Sequence, residues 1–397
     1  KPYDLKSSFL YKIYNRLMRP FLESRSKSWL FLLFVIAALL ISFCLAGFRV
    51  VPLKMLPFDN KNELQIVIDT PEGTTLEGTN RITCALENFL QTVPEIKDFE
   101  SYVGTSSPFD FNGLVRHYYL RQGDNISDIR INLAPKHDRR EQSHEIALRI
   151  RPEIEKIAFS SGAKVKILES PPGPPVLSTL VAEIYGTPDA TYNDFTKVGN
   201  QVEEGMGKIP FVVDVDSTVE APQEKYIFIV DREKASLDGI NAADIVRTVS
   251  LAFKGLVVDV LHRPEERSQL EIFIQFPIDK RITLNDIRQI NLRDKSGRLV
   301  QVGELGNFEK SFRDQTIYHK NLERVVYVTA EMAGESPIEA ILGLKKYINK
   351  NPLPKRFKMD LAGEGEWKIT LDTFRDMGIA FGAALVLVWV LLVAERQ

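Results

Sequence analysis

Two uncharged runs limit what this chain can fold into more than any other feature. From Trp29 to Phe48 it reads WLFLLFVIAALLISFCLAGF, twenty residues dominated by Leu, Phe, Ile and Val. At 1.5 Å per residue, a helix of that length spans roughly 30 Å, the thickness of a bilayer's hydrocarbon core. A second run, Met377 to Ala394 (MGIAFGAALVLVWVLLVA), has eighteen residues. A buried core helix accounts for apolar runs of about 10–14 residues, not for runs of this length. A signal peptide fits the first run poorly, because 28 residues precede it and no A-x-A site follows. Both 29–48 and 377–394 are therefore expected to be transmembrane helices, although a mean hydropathy of −0.12 over the whole chain conceals them.

The flanks set an orientation. Residues 1–28 form a basic lead with Lys1, Lys6, Lys12, Arg16, Arg19, Arg25 and Lys27 against Asp4 and Glu23, so the N-terminus should stay cytoplasmic. Within it, YKIYNRLMRPFL interleaves Tyr, Leu and Phe with cations, as a helix lying on a membrane surface does. A plain basic segment beside the membrane is the alternative. With two spans, both termini lie inside and the large region between them lies outside the cytoplasm. The chain opens on Lys1 and stops three residues after the second run, which suggests a piece of a longer protein. Lys and Arg total 51 against 53 Asp and Glu, so no overall field invites nucleic acid. Two cysteines, Cys44 and Cys84, exclude a disulfide scaffold.

Between the spans the periodicity alternates in a repeated order. Glu63–Asp69 alternates as a strand, Thr74–Val93 has helical spacing up to Pro94, and Lys97–Val103 suits a strand. Ile126–Leu133, Glu141–Phe159 and Ala163–Glu169 then give strand, helix, strand. This is a β-α-β-β-α-β, ferredoxin-like unit over 60–169. After the linker PPGPP the order restarts with Leu180–Gly186, Asp189–Gly207 and Phe211–Val219. Its other half arrives later as Arg324–Met332, a helix from Ser336, and Phe357–Ala362. A second such unit is thus expected over 176–220 and 306–362, split by an α+β insert at 221–305. The fold class is membrane α+β, with two transmembrane helices flanking two ferredoxin-like units.

Enzyme signatures are missing from the sequence. It contains no Walker A loop, G-x-S-x-G elbow or dinucleotide fingerprint. His144-Glu145 opens an H-E-x-x-H pattern, but Leu148 stands where the second His is needed. His137 beside Asp138 suits a solvated helix entrance, and the six methionines (18, 55, 206, 332, 359, 377) form no cluster in sequence. Neither apolar run carries an acidic, basic or His residue between its ends, so neither offers a proton relay. No catalytic residue, cofactor or metal site is expected.

The order of elements and several motifs resemble the C-terminal half of a resistance-nodulation-division (RND) efflux pump, the family's inner-membrane permease. The resemblance runs from YNRLMRPFL through VPLKMLPFDNKNELQIVIDTPEGTTLE and PPGPPVLSTLVAEIYG to VDREKASLDGINAADIVRTVSLAFKG and GIAFGAALVLVWVLLVAERQ, covering essentially the whole chain. Its most specific pieces are Leu56-Pro57, Pro71-Glu72-Gly73-Thr74 and Asp231-Arg232-Glu233-Lys234-Ala235. The resemblance implies a proton-driven homotrimer in the inner membrane, with its large domain periplasmic. Such a pump passes amphiphilic or drug-like compounds to an outer-membrane channel through a periplasmic adaptor protein. It further implies that 60–169 is one porter subdomain, that 176–220 with 306–362 is another, and that 221–305 is the docking part. The two apolar runs would be the seventh and eighth helices. The N-terminal half, including the helix with the family's proton-carrying aspartates, would be missing, so this chain should not transport alone. The alternative class is a two-span periplasmic sensor or a polysaccharide-chain-length regulator.

Candidate binding residues lie mainly in GTSSPFDFNGLVRHYYLRQGDN, where glycines and Pro108 imply a loop and aromatics are dense. Family members place the corresponding loop at the cleft between the porter subdomains. Phe109, Phe111, Tyr118 and Tyr119, with Tyr102 just before the loop, suit apolar recognition because aromatic faces bind without fixed hydrogen bonds. The plainer reading has Tyr118 and Tyr119 packing from an extra strand. Gly378 and Gly382 form a G-x-x-x-G that would let another helix approach the second span closely. The PPGPP linker suits either a hinge or a stiff spacer.

Overall fold

A break at Ser24 divides the N-terminal region into helix α1 (Phe9–Glu23) and helix α2 (Arg25–Gly47) in the computed structural model, which describes residues 9–47, 59–170, 176–277, 280, 283–334 and 337–395. The Ser28 amide donates to the Ser24 carbonyl at 3.0 Å, and the Ser28 hydroxyl donates to the Phe21 carbonyl. The rings of Phe21 and Phe31 meet at 4.9 Å across the elbow. Helix α2 is long and apolar enough to cross a bilayer, and its large apolar side chains stand exposed. Leu56-Pro57, the linker 171–175 and Ser336, the expected start of a helix, lie outside the described residues.

Next come β1 (Glu63–Asp69), α3 (Leu76–Leu90), β2 (Ile96–Thr105), α4 (Phe111–Val115), β3 (Gln122–Leu133), α5 (Ser143–Phe159) and β4 (Lys164–Leu168). Thr75 caps α3 by accepting the Gly78 amide at 3.2 Å, and the Glu145 side chain accepts the Gln142 amide at the start of α5 at 2.8 Å. The sheet order is β2-β3-β1-β4 with every pair antiparallel. Leu64, Ile66 and Ile68 meet Leu86, Leu90, Ile146, Ile150 and Ile154 in one core. Cross-strand partners share a face. The register Val67↔Asp128 and Val67↔Lys166 therefore gives the sheet's other face to charged side chains. Alternation alone predicts an open polar face, yet Gln65, Asp128 and Lys166 are buried, so that face is covered as well.

The second set opens with β5 (Leu180–Gly186), α6 (Tyr192–Gly207) and β6 (Val212–Ser217). An insert follows: β7 (Glu224–Val230), α7 (Arg232–Leu237), α8 (Ala242–Lys254), β8 (Leu256–Leu261), β9 (Leu270–Ile274), α9 (Leu284–Arg288), β10 (Asn291–Arg293), β11 (Leu299–Gln301) and β12 (Gly306–Phe312). The chain then returns through β13 (Tyr318–Lys320), β14 (Glu323–Met332), α10 (Pro337–Lys350) and β15 (Phe357–Asp360). Strand β14 pairs with β5 on one side and with β6 and β13 on the other, and β15 closes the far edge against β5. Ile184, Val198, Val202, Met206, Val328, Ile341 and Leu344 fill this second core.

The insert forms its own compact unit over 220–316, around Ile240, Ile245, Ile287, Val302 and Leu305. Sequence periodicity ended it at 305. Strand β12 pairs along its whole length with β7, which carries the unit on to Thr316. Its two ends meet: the Thr316 amide donates to the Glu220 carboxylate at 3.0 Å.

The last helix, α11 (Glu366–Glu395), begins well before the apolar run at Met377. No Gly or Pro interrupts Glu366–Asp376, so the apolar run continues a polar first stretch of the same helix. Trp367 from that stretch packs against the second core.

Candidate functional site

The segment between β2 and β3 is not the plain loop that its glycines suggest. Asp110 caps the short α4 by accepting the Gly113 amide at 2.6 Å. His117 then adopts a left-handed conformation (φ 58°), and Tyr118–Leu120 close a 3₁₀ turn. Beneath it, the Asp128 carboxylate accepts the Ser107 amide at 2.9 Å and the Gln65 side-chain amide at 3.2 Å. The segment is thereby tied to the polar face of the first sheet.

The predicted aromatics separate into three environments. Phe109 and Tyr119 meet edge to face at 5.4 Å, and Phe109 remains 65 % exposed. Phe111, at the first position of α4, is 54 % exposed. Tyr118 instead stacks under two cations, the Arg121 guanidinium at 5.7 Å and the Lys166 ammonium at 5.8 Å. Tyr102 shares the polar sheet face through its register with Asp128 and donates its hydroxyl to Glu100 at 2.6 Å. Gly378 and Gly382 lie one turn apart on α11, with nothing within 4 Å of an added Cβ.

Sequence reasoning missed the charges around these rings. Arg116, at the end of α4, reaches across to β14 and pairs with Glu331, which also accepts hydrogen bonds from Ser178 at 2.8 Å and from Thr179. Arg151 on α5 forks onto Asp214 of β6, Lys166 of β4 pairs with Asp216, and Lys164 reaches Glu203 of α6 at 2.7 Å. Arg121 holds Asp69 and Asp128 together from the loop side. Ion pairs thus join the first sheet to the second along one seam. One signal was available: Lys164 and Lys166 stand two apart in one strand, Asp214 and Asp216 two apart in another. Such spacing puts each pair on a single face, with opposite sign.

The electrostatics follow from burial and pairing. Burial alone would raise the Glu331 carboxyl, but the Arg116 charge and the two hydroxyls outweigh it and hold it below the usual range. Asp69 is likewise held low, against its burial, by Lys166 and Arg121. Burial pushes Asp214 up despite Arg151, with the nearby Glu331 charge adding to the effect. Lys166 stays fully charged, because Tyr118, Asp216 and Asp69 outweigh its desolvation. Asp214 also sits at φ 53°, a left-handed conformation that Asp tolerates better than most residues.

Among the described residues no group of three or more His, Cys, Asp or Glu is placed to hold a metal. Met206 and Met332 are buried in the second core, with Met359 packed against it. A small apolar cavity lies there too, lined by Leu180, Met206, Ile341 and Leu344.

Comparison with known proteins places this geometry in context. A model of the AcrB/AcrD/AcrF family matches residues 3–396. The swarming motility protein SwrC of Bacillus subtilis (strain 168) is 20 % identical over 210 residues, covering 53 % of this chain and 19 % of that protein. The crystal structure of a heavy metal efflux pump is similar in two crystal forms at 16 % identity. One superposes with a TM-score of 0.69 over 91 % of this chain, the other with 0.72 over 98 %. The chain spans about a fifth of the length of SwrC, and 36 % and 38 % of the pump in its two crystal forms.

Proposed function

This chain belongs to the AcrB/AcrD/AcrF family of RND inner-membrane transporters, and we propose that it forms part of a proton-driven, trimeric pump exporting amphiphilic compounds. In this reading 60–169 and the split second unit are ferredoxin-like porter subdomains. The strand order second-third-first-fourth supports this in both sheets. The compact 220–316 unit is the docking part toward an adaptor and an outer-membrane channel, and lies with both porter units on the periplasmic side. Both termini are cytoplasmic, as the basic lead favours. Neither span carries an acidic, basic or His residue between its ends, so proton coupling belongs to other helices of the pump. Gly378 and Gly382 present a small-residue face on which another helix packs.

The observation that carries the cargo reading is the exposed Phe109–Tyr119 pair, with exposed Phe111 following on the same segment. Exposed rings on a segment anchored by polar bonds form an apolar contact surface that does not depend on fixed hydrogen bonds. Tyr118 holds cations on the same segment, and Tyr102 lies on the sheet face. The related pump is named for heavy metals, but here the buried methionines serve as packing. The exposed rings of Phe109, Phe111 and Tyr119 favour organic cargo. The test is Phe109→Ala with Phe111→Ala in a pump containing this region, assayed for susceptibility to lipophilic drugs and to metal salts. Drug export should fall about fivefold, consistent with roughly 1 kcal/mol for a lost aromatic contact, while metal tolerance and thermal stability hold. Unchanged drug export would refute the assignment.

A further inference from the structure

Helix α1 is the element that the transport reading leaves without a task. Ile13, Tyr14 and Met18 fall on one side of the helix by their spacing, and all three are exposed. Arg16, Arg19 and Glu23 occupy the opposite face, with Arg19 paired to Glu23. Arg25 and Lys27 follow at once in the exposed first turn of α2. Four cations thus stand against one carboxylate around the elbow at Ser24. Phe21, three residues beyond Met18, extends the apolar face and meets Phe31 of α2. The apolar face of α1 is therefore continuous with the apolar surface of the span.

We infer that α1 lies in the membrane surface, with Arg16, Arg19, Arg25 and Lys27 forming a binding surface for anionic phospholipid headgroups. The inference rests on α2 being a span. A helix with this division buries its apolar face about 5–10 Å into the boundary between headgroups and acyl chains, which brings its polar face level with the phosphates. Guanidinium groups match phosphate oxygens in pairs, so Arg suits this task better than a point charge does. The elbow limits where these charges can go: the Ser28 hydroxyl bond to the Phe21 carbonyl and the Phe21–Phe31 contact tie the end of α1 to the start of α2.

The test uses the full chain in lipid nanodiscs, with Cys44 and Cys84 replaced by Ser and single spin labels at Tyr14→Cys, Arg16→Cys or Leu39→Cys. The Tyr14 label should be accessible to oxygen and shielded from an aqueous nickel complex, and the Arg16 label the reverse. Native mass spectrometry after exchange from mixed phosphatidylglycerol and phosphatidylcholine then counts retained lipids. The wild-type chain should prefer phosphatidylglycerol about tenfold, given what a few juxtamembrane cations contribute. Replacing Arg16, Arg19, Arg25 and Lys27 together by Gln should abolish that preference while the Tyr14 label stays shielded. Equal retention of both lipids by the wild type, or a water-exposed Tyr14 label, would overturn the proposal. A water-exposed Leu39 label would instead bring down the reading of α2 as a span, and the proposal with it.

Discussion

Replacing Glu331 by Gln tests whether the seam between the two sheets is held by charge. The Arg116 side chain is 7 % exposed and that of Glu331 17 %, so water does little to screen the pair. Gln keeps the volume of Glu, can still accept from Arg116 and Ser178, and can turn its amide toward the Thr179 hydroxyl. What disappears is the negative charge beside a buried guanidinium. Breaking such a pair from one side costs about 3–5 kcal/mol, and the retained hydrogen bonds put this case near the lower end. For a region of this size 1 kcal/mol moves Tm by about 2–4 °C, so Glu331→Gln should lower it by roughly 6–12 °C. Differential scanning fluorimetry on the full chain in detergent can follow this, because Trp367 packs against the second core. Adding Arg116→Met removes the stranded charge and should recover most of the loss. A drop below about 2 °C, or a double variant no better than the single one, would show that the seam does not depend on this pair.

The pH dependence follows from the same residues. Glu331 and Asp69 titrate below their ordinary values of 4.5 and 3.8, so their contribution is complete above those values and fades as pH falls through the lower folded ones. Melting temperature should therefore decline below about pH 4.5, and less steeply in Glu331→Gln. Gly306→Ala would put a Cβ 2.2 Å from the Ile229 carbonyl oxygen, a backbone atom that cannot swing away. Limited proteolysis should then cut 220–316 first, and an unchanged digestion pattern would refute this. Replacing 220–316 by a short Gly-Ser linker should leave the rest folded, since Glu220 and Thr316 are hydrogen-bonded neighbours. An intact Trp367 melting transition would confirm it, and aggregation would not. A cysteine placed at Ser296 should react with a membrane-impermeant reagent in intact spheroplasts. Labelling only after lysis would reverse the proposed orientation.

Length and composition made the two long apolar helices legible, and periodicity made both β-α-β patterns so, because apolar spacing reports directly on which face of an element is buried. Ile66 and Ile68 alternate, Leu86 and Leu90 stand one turn apart, and the core contains all four. Taken alone, the same alternation would leave the other face of the first sheet to solvent, since Asp128, Lys164 and Lys166 are polar. Whether charged side chains meet water or opposite charge depends on which strand arrives from far along the chain, and periodicity carries no such information. The loop reading of 104–123 failed for a related reason. A five-residue helix such as α4 is too short to show a period, and it depends on its Asp110 cap and on the bond between Arg116 and Glu331. Of the predicted aromatics, the sequence could not tell Tyr118 from Tyr119, although one stacks on cations and the other on Phe109.

The insert is tethered to the rest of the chain twice, and the two tethers lead into β6 and into β13 and β14. Those strands are themselves zipped together, with Ser217 opposite Val328 and Val212 opposite Met332. A domain on a single thread can swivel freely and transmits only tension. One leashed by two threads from a single ladder resists torque, because turning it would wring β6 and β14 about each other. Any force borne by 220–316 is thus passed to the β6–β14 ladder, whose strand β14 carries Glu331, the partner of Arg116.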